Sequence, residues 1–527
     1  MTSIFILGAG VMQGPAIQAA RNKGYHVAVA DGDPNAIHAR DADVFFNVDL
    51  KDREGLAAAA ASVPNLRGVF TAGTDFSASV AWVAERLGLA SISYETALDA
   101  SDKARMRARL EAAGVPVPGH AVGSKGDDPE ILATGSSGRT LSYPVVVKPV
   151  DNMGARGCRL ARDRHELAHA WTDALAHSRS GRAIVEEYLD GPEFSVDALV
   201  HGGSIVIRGL ADRHVYFAPY FVELGHTMPS AYGADVQAEV LAVFQAAVRA
   251  LGITTGAAKG DIKYTRRGAF VGEIAARLSG GFMSGWTYPY ASGVDPAAEA
   301  IDLACGVTPA FQSPTRDWVS AERAWISIPG TVAEVRMLDA ARRLPYVKDV
   351  FPRLSRGDRA VFPSNNVQKA GNVISQAPDR ASAEQAAERG ARAVLIRLEP
   401  GDPDTLAFLD GAMDIRSDSG QLWPPPAYQP SAMALASADK LPDLVRNGGE
   451  GTTVSIAPLR GLDGDTSTDW LGRTLPETLD AVRELTGARV GDHGDLVLGR
   501  RFWKALFRGG YQAGAWVVDS ARRGGDR

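Results

Sequence analysis

Residues 256–281, GAAKGDIKYTRRGAFVGEIAARLSGG, constrain this chain more than any other stretch, because they read as a hairpin that sets two carboxylates against each other. The runs AAKGDIKYT and AFVGEIAAR flank Arg266-Arg267-Gly268, predicted as a three-residue loop with glycine at its left-handed position. With Thr265 facing Ala269, Asp261 falls opposite Glu273, and alternation puts Ile262, Tyr264, Phe270 and Ile274 on the other, apolar face. Lys259, Asp261, Lys263, Glu273 and Arg277 then share the polar face. Directly opposed carboxylates repel unless a cation or the flanking ammonium groups neutralise them. A magnesium ion suits the pair, since it takes one or two protein carboxylates and completes its octahedron with water and phosphate oxygens. Just beyond, Arg277 and the Ser279-Gly280-Gly281 backbone can meet developing negative charge. A solvated hairpin face of paired Lys and Asp is the alternative reading of this segment alone.

The remainder of the 527 residues is too long for one core and predicts roughly three to five domains. A net charge of -6 gives no general attraction for nucleic acid or an anionic membrane. Cys158 and Cys305 are the only cysteines, which argues against a disulfide framework and against structural zinc. The opening MTSIFILGAG runs straight into a strand and turn, and no apolar run reaches membrane-spanning length, so a soluble cytoplasmic protein is expected.

From the N-terminus, SIFIL, the turn from Gly8 to Gly14, a helix to Gly24 and HVAVAD ending at Asp31 form a strand, turn, helix, strand unit with GxGxxxG spacing. Asp31 would suit the ribose of a nicotinamide cofactor, yet a glycine turn packing a helix on a sheet needs the same residues with no cofactor. GVFTAG supplies a further strand, and the open α/β sheet is complete by about Ala100. Ser101-Asp102-Lys103 then starts a helix with Ser or Asp as its cap. The strand SYPVVVKP ends at Lys148, just before Asp151-Asn152-Met153-Gly154-Ala155-Arg156-Gly157, a loop whose backbone N–H groups and lysine can hold phosphate. AIVEEYL offers Glu186, Glu187 and Leu189, and Glu193 opens the next strand; a carboxylate at 186 or 193 could accept ribose hydroxyls, and backbone near Glu187 and Leu189 could read an adenine edge.

In this order, Ser101-Asp102-Lys103, Tyr143 to Lys148, Met153 to Gly157, Glu186 to Leu189, Glu193 and Glu273-Ile-Ala-Ala-Arg277 resemble the ATP-grasp superfamily over roughly residues 1–312. The resemblance implies an α/β and α+β multidomain protein of ATP-grasp fold. Its parts are a Rossmann-like pre-ATP-grasp domain at 1–100 and an ATP-grasp domain at 101–312 with a lid at about 115–188. A small C-terminal β-rich domain follows at 313–400, and an additional region of unassigned role at 401–527. It implies ATP and Mg2+ (or Mn2+) as cofactors. Lys103, Lys148, Met153 and Gly154 are then expected at the phosphates, Glu186, Glu187 and Leu189 at the adenine and Glu193 at the ribose. Asp261 and Glu273 become the metal ligands, Arg277 and Lys148 with Gly280 and Gly281 the catalytic groups, and Arg277 a substrate contact as well. The family's usual Glu-x-Asn-x-Arg has Ala275 in the asparagine position here, so one oxygen expected of a second metal site is absent.

Within the superfamily the chain is similar to the L-amino-acid ligase group. The stretch Phe221 to Ser230 resembles that group's substrate loop, with Glu223 and His226 as substrate contacts, and IPGTVAEV, YVKDV and KAGNVI resemble its small β-rich domain. The implied activity is an ADP-forming carboxylate-amine ligase that joins a small carboxylic acid and an amine, amino acids among them, through an acyl phosphate. Neither nucleic acid nor membrane is implied as a partner, and a homodimer is compatible with the reading. The alternatives are an ATP-dependent carboxylase, a nucleotide-binding protein without turnover and, more distantly, a nicotinamide-linked oxidoreductase. After Glu399 the resemblance fades: 417–427 reads as a linker or surface turn, TTVSIAPL as a strand, and the Phe502, Trp503, Leu506, Phe507 cluster as one that packs inside the protein.

Overall fold

The computed structural model describes residues 1–134, 140–416, 420, 422–446, 453–462, 464–491 and 494–523. Residues 135–139 of the expected lid, 417–419 and 421 of the expected linker and 452 of the expected strand lie outside them. The chain divides into two compact units, Met1–His214 with Gly225–Glu322 and Gln376–Glu384, and Val215–Leu224 with Arg323–Ser375 and Gln385–Arg527.

In the first unit, Ser3–Leu7 (β1), His26–Asp31 (β2), Val44–Asn47 (β3) and Leu66–Phe70 (β4) form a parallel sheet in the order β3-β2-β1-β4. Every residue of β1 is buried, the pattern of a strand covered on both faces. β3 is only four residues long and escapes a search for periodicity. The glycine turn after β1 is satisfied from within. The N–H groups of Gly8, Ala9 and Gly10 donate to the Ala30 carbonyl (2.7 Å), the Asp31 carboxylate (2.8 Å) and the Gln13 side-chain oxygen (3.0 Å). The amides and the carboxylate that a dinucleotide would use thus already have partners in the chain.

His120–Ser124 (β5), Val145–Pro149 (β6), Arg159–Ala161 (β7) and Arg182–Glu187 (β8) make a small antiparallel sheet ordered β5-β8-β6-β7. The helix Arg164–His177 covers it with Leu167, Ala170, Trp171 and Ala174. Glu193–His201 (β9), Ser204–Tyr216 (β10), Val222–Met228 (β11, of which Gly225 onward belongs to this unit), Gly256–Thr265 (β12) and Gly268–Ala275 (β13) follow in the order β13-β12-β9-β10-β11. One face of this sheet is closed by Ala234–Ala250, whose Val240, Phe244, Ala247 and Val248 share a core with Ile262, Val271 and Ile274. The opposite face carries the charged residues.

The second unit has one continuous core. Ile328, Val332, Ile396 and Leu398 share it with Val454, Leu496 and the 23-residue helix Arg500–Arg522. Phe502, Trp503, Leu506 and Phe507 are buried in that core, as expected, and no helix of the described residues is long and apolar enough to cross a membrane. The helix breaks at Gly509-Gly510, where Gly510 sits at φ +64, and the carbonyls of Phe507 and Arg508 accept instead from the N–H groups of Tyr428 (2.9 Å) and Ala427 (3.1 Å). The stretch read as a linker is therefore packed where it is described: Trp423 lies 4.5 Å from Tyr220, ring centre to ring centre, and Ala427 and Tyr428 are buried. Proline-rich composition marks a segment that cannot extend a helix or sheet, which a docked strap satisfies as well as a free linker. Trp503 is fully buried and donates its indole N–H to Ala457 (2.9 Å). Trp503→Ala should destabilise this unit by about 3–5 kcal/mol, read as a lower urea midpoint by circular dichroism; an unchanged midpoint would contradict this packing.

Candidate active site

Asp102 caps the helix Lys103–Ala112, accepting from the N–H groups of Ala104 (2.8 Å) and Arg105 (3.0 Å). Residues four apart share a helix face, so Lys103 and Arg107 point the same way. Arg107, with no exposed surface, donates through Nε to Glu186 Oε1 (2.7 Å) and through Nη2 to the Gly272 carbonyl (2.7 Å). The other Glu186 oxygen meets Lys148 Nζ (2.7 Å). A buried guanidinium requires such partners, and here they tie the small sheet to the hairpin. Burial alone would raise the Glu186 pKa, but Arg107 and Lys148 outweigh it and hold the carboxyl down to about 2. Burial pulls Lys148 down, and Glu186 more than offsets it, so its pKa is raised.

These contacts correct the expectation for Glu186. Its carboxylate is 1% exposed and committed at both oxygens, so it positions Lys148 rather than meeting a ribose or a base. Arg107 escaped the sequence reading, although its spacing from Lys103 was the available signal. The Glu187 N–H likewise donates to Gly119 (2.8 Å), which removes it as an adenine donor, and its carboxylate pairs with Arg267. Leu189 is buried. Glu193 pairs with Arg213 and lies 3.5 Å from Lys263.

Asp261 does face Glu273, but by another route than expected. The turn has two central residues, Arg266 and Arg267, with Thr265 opposite Gly268, and the register is restored by a bulge at Gly272 between the Ile262–Val271 and Asp261–Glu273 pairs. A Cβ on Gly272 would sit 3.0 Å from the Asp261 carbonyl oxygen. One consequence corrects the assigned faces: Val271 and Ala269 enter the core, whereas Phe270 lies opposite Lys263 with Arg267 over its ring at 4.7 Å. On the polar face Asp261 Oδ1 accepts from Ser195 (3.0 Å) and Arg213 (2.9 Å), and Oδ2 from Lys259. Glu273 Oε1 meets Lys103 Nζ at 2.9 Å, and the same ammonium donates to the Asn152 carbonyl (2.8 Å). Burial opposes ionisation of both carboxyls, but Arg213 and Lys259 at Asp261 and Lys103 at Glu273 prevail, so both pKa values are lowered. Two opposed, ionised carboxylates are hard oxygen donors of the kind a magnesium or manganese ion takes beside phosphate.

The loop after Lys148 is anchored at its stem, where Asp151 accepts from Ser178 (2.9 Å) and from the N–H groups of Arg179 (3.0 Å) and Ser180 (2.7 Å). Met153 N–H donates to the Asn152 side chain (2.9 Å), and Gly154 at φ +67 precedes Ala155 at φ +61. At the other border, Arg277 Nη1 donates to the Leu278 carbonyl (3.0 Å), while its buried Nε has no partner among the described residues. Ser279 donates its N–H (3.0 Å) and its hydroxyl to Asp197, a carboxyl that burial pushes up to about 6. Gly280 packs against Gly73, where a Cβ would lie 3.3 Å from the Gly73 Cα. Gly281 (φ +62) and Phe282 (φ +68) are both left-handed and lead into a π-helix at Met283–Thr287. A bulky residue in that region is strained, and strain of this kind clusters at functional sites.

The expected substrate loop is instead the strand β11. His226 is 2% exposed, with Nε2 2.7 Å from the Thr287 hydroxyl and Nδ1 3.5 Å from Glu322, so it braces the π-helix and meets no open surface. Glu223 belongs to the second unit, where its N–H donates to Asn366 (2.8 Å). Alternating β-branched and polar residues can make a strand or an irregular loop, and the pairing of neighbouring strands decides between them.

Arg107→Met would leave Glu186 buried beside one cation and should cost about 3–5 kcal/mol in urea unfolding at neutral pH. With its pKa lowered from 4.5 to about 2 on folding, Glu186 contributes stability above pH 4.5 that is lost as pH falls toward about 2. Glu186→Gln should flatten the fall of the urea midpoint across that window; a curve parallel to wild type would contradict the clamp.

A family model for the ATP-grasp domain matches residues 141–285, and one for L-amino acid ligase C-terminal domain 2 matches residues 324–399. Among curated relatives, the L-arginine-specific L-amino acid ligase of Bacillus subtilis is 27% identical over 202 residues, 37% of this chain and 48% of its own. Carnosine synthase 1 of Mus musculus is 25% identical over 342 residues, 59% of this chain and 41% of its own. The chain thus spans less than half the length of either relative. The crystal structure of an L-amino acid ligase from Bacillus licheniformis superposes with a TM-score of 0.67 at 20% identity, covering 76% of this chain and 99% of that one, a likeness of fold. Enzymes of ATP-grasp type use ATP and divalent metal ions. Residues 141–285 thus match the ATP-grasp domain, and the chain is similar to the L-amino acid ligase group.

Proposed function

We propose that this protein is an ATP-dependent ligase that joins a carboxylic acid and an amine, with amino acids as the substrate class. The observation that carries the reading is the pair of ionised carboxylates, Asp261 and Glu273, opposed across one hairpin with Lys103 bound to the second of them. Lys148, held upright by the buried Glu186, supplies a second ammonium, and together with Lys103 it offsets the negative charge of a transferring phosphoryl group. Held at this opposed pair, with the more exposed Glu273 as its open ligand, a divalent magnesium or manganese ion would supply electrostatic neutralisation of the nucleotide phosphates.

The substrate carboxylate forms a bond to the γ-phosphorus as the bond to ADP breaks, giving an acyl phosphate. The amine then bonds to the acyl carbon, phosphate leaves with the electron pair of the C–O bond, and the nitrogen loses a proton. Arg277, whose buried Nε has no partner among the described residues, and the backbone N–H groups of Gly280 and Gly281 are the donors we assign to the developing oxyanion. Glu193 is assigned to the ribose, and the Met153-Gly154 backbone to the phosphates. No protein nucleophile is required. The relatives named for joining amino acids support this substrate class.

Incubation with ATP and pools of acids and amines should release ADP and phosphate, and hydroxylamine should trap a hydroxamate of the accepted acid. Release of AMP and pyrophosphate would refute the acyl-phosphate route, and turnover with bicarbonate alone would favour a carboxylase. Lys148→Ala and Arg277→Ala should each lower turnover on the order of a hundredfold, with the KM for ATP rising only in the former. Wild-type turnover in both folded variants would leave a nucleotide-binding protein as the better reading.

A further inference from the structure

Each carboxylate of the opposed pair has a partner that limits what else it can bind. Asp261, the more enclosed of the opposed pair, has Oδ1 shared between Ser195 and Arg213 and Oδ2 held by the Lys259 ammonium. Lys259 stands directly across the hairpin from Ala275, whose methyl group offers no ligand atom, and across from Asp197 on the other neighbouring strand. Glu273 differs: its side chain is 31% exposed against 12% for Asp261, and among the described residues its ion pair is with Lys103. The face mixes both charges, with Glu193, Asp197, Asp261 and Glu273 set among Lys103, Lys259, Lys263, Arg213 and Arg277.

We infer that Lys259 is a built-in cation that takes the place of a second metal ion, so that the chain binds its nucleotide with one divalent ion, seated at Glu273. The inference rests on the ATP and divalent-ion reading of the site. A second divalent ion beside Asp261 would stand within a few ångströms of the Lys259 ammonium and would lack a ligand from residue 275. Like charges at such range repel strongly in a partly buried setting. A fixed ammonium provides one positive charge where the ion would provide two, with no dependence on free metal. Lys259 is therefore a positioning residue for Asp261 and sets the metal count.

The test is the number of manganese ions bound per chain with saturating ADP, counted by electron paramagnetic resonance of free Mn2+. Wild type should bind one. Ala275→Asn should also bind one, because Lys259 still occupies the position, whereas Lys259→Met combined with Ala275→Asn should bind two. Two ions in wild type, or in Ala275→Asn alone, would overturn the inference, as would a folded double variant that still binds one. The first two measurements decide the matter if the double variant does not fold. If manganese and ADP do not bind at all, the inference falls together with the ligase reading, which distinguishes that failure from a wrong metal count.

Discussion

The site depends on one buried guanidinium. Arg107 reaches from a capped helix to a carboxylate on the small sheet and to a carbonyl freed by a bulge in the large one. Each contact would be costly to leave unmade in a dry interior, so the three elements share one geometry or lose it together. Lys148 stands where it does because Glu186 holds it, and Glu186 stays ionised because Arg107 holds it. The cation proposed to meet phosphate is thereby placed by two buried groups, Arg107 and Glu186.

The second organising constraint is the mixture of charges on the hairpin face. Opposed carboxylates would separate the strands, and ammonium and guanidinium groups set among them prevent that without a ligand. Lys103 belongs to both constraints: it leaves the same helix as Arg107, and its ammonium joins Glu273 to the stem of the loop after Lys148. Rearrangement of the loop after Lys148 is thus coupled, through one side chain, to the proposed metal ligand.

How much was legible in the sequence follows from the range of the interactions. The strands β1, β2, β6 and β8 and the cap at Asp102 are local and could be read directly, whereas the four-residue β3 and the strand β11 could not. The opposition of Asp261 and Glu273 was legible too, yet through an inexact turn: a two-residue turn with a bulge at Gly272 gives the same pairing as a three-residue loop, and only Phe270 betrays the difference. What could not be read was long-range. Arg107 and Glu186 are 79 residues apart, and nothing local says that the carboxylate is spent on that contact. The burial of His226 and the docking of the 423–428 strap are likewise decided by tertiary packing, which no local pattern encodes.

The central claim is that carboxylate activation runs through an acyl phosphate, and oxygen tracing tests it most directly. With the accepted acid labelled with 18O at both carboxylate oxygens, the amine-dependent reaction should place one label in inorganic phosphate and keep the other in the amide carbonyl, as seen by mass spectrometry of both products. Phosphate free of label while amide accumulates would contradict the acyl-phosphate route, because no bond between the acid's oxygen and phosphorus would then have formed.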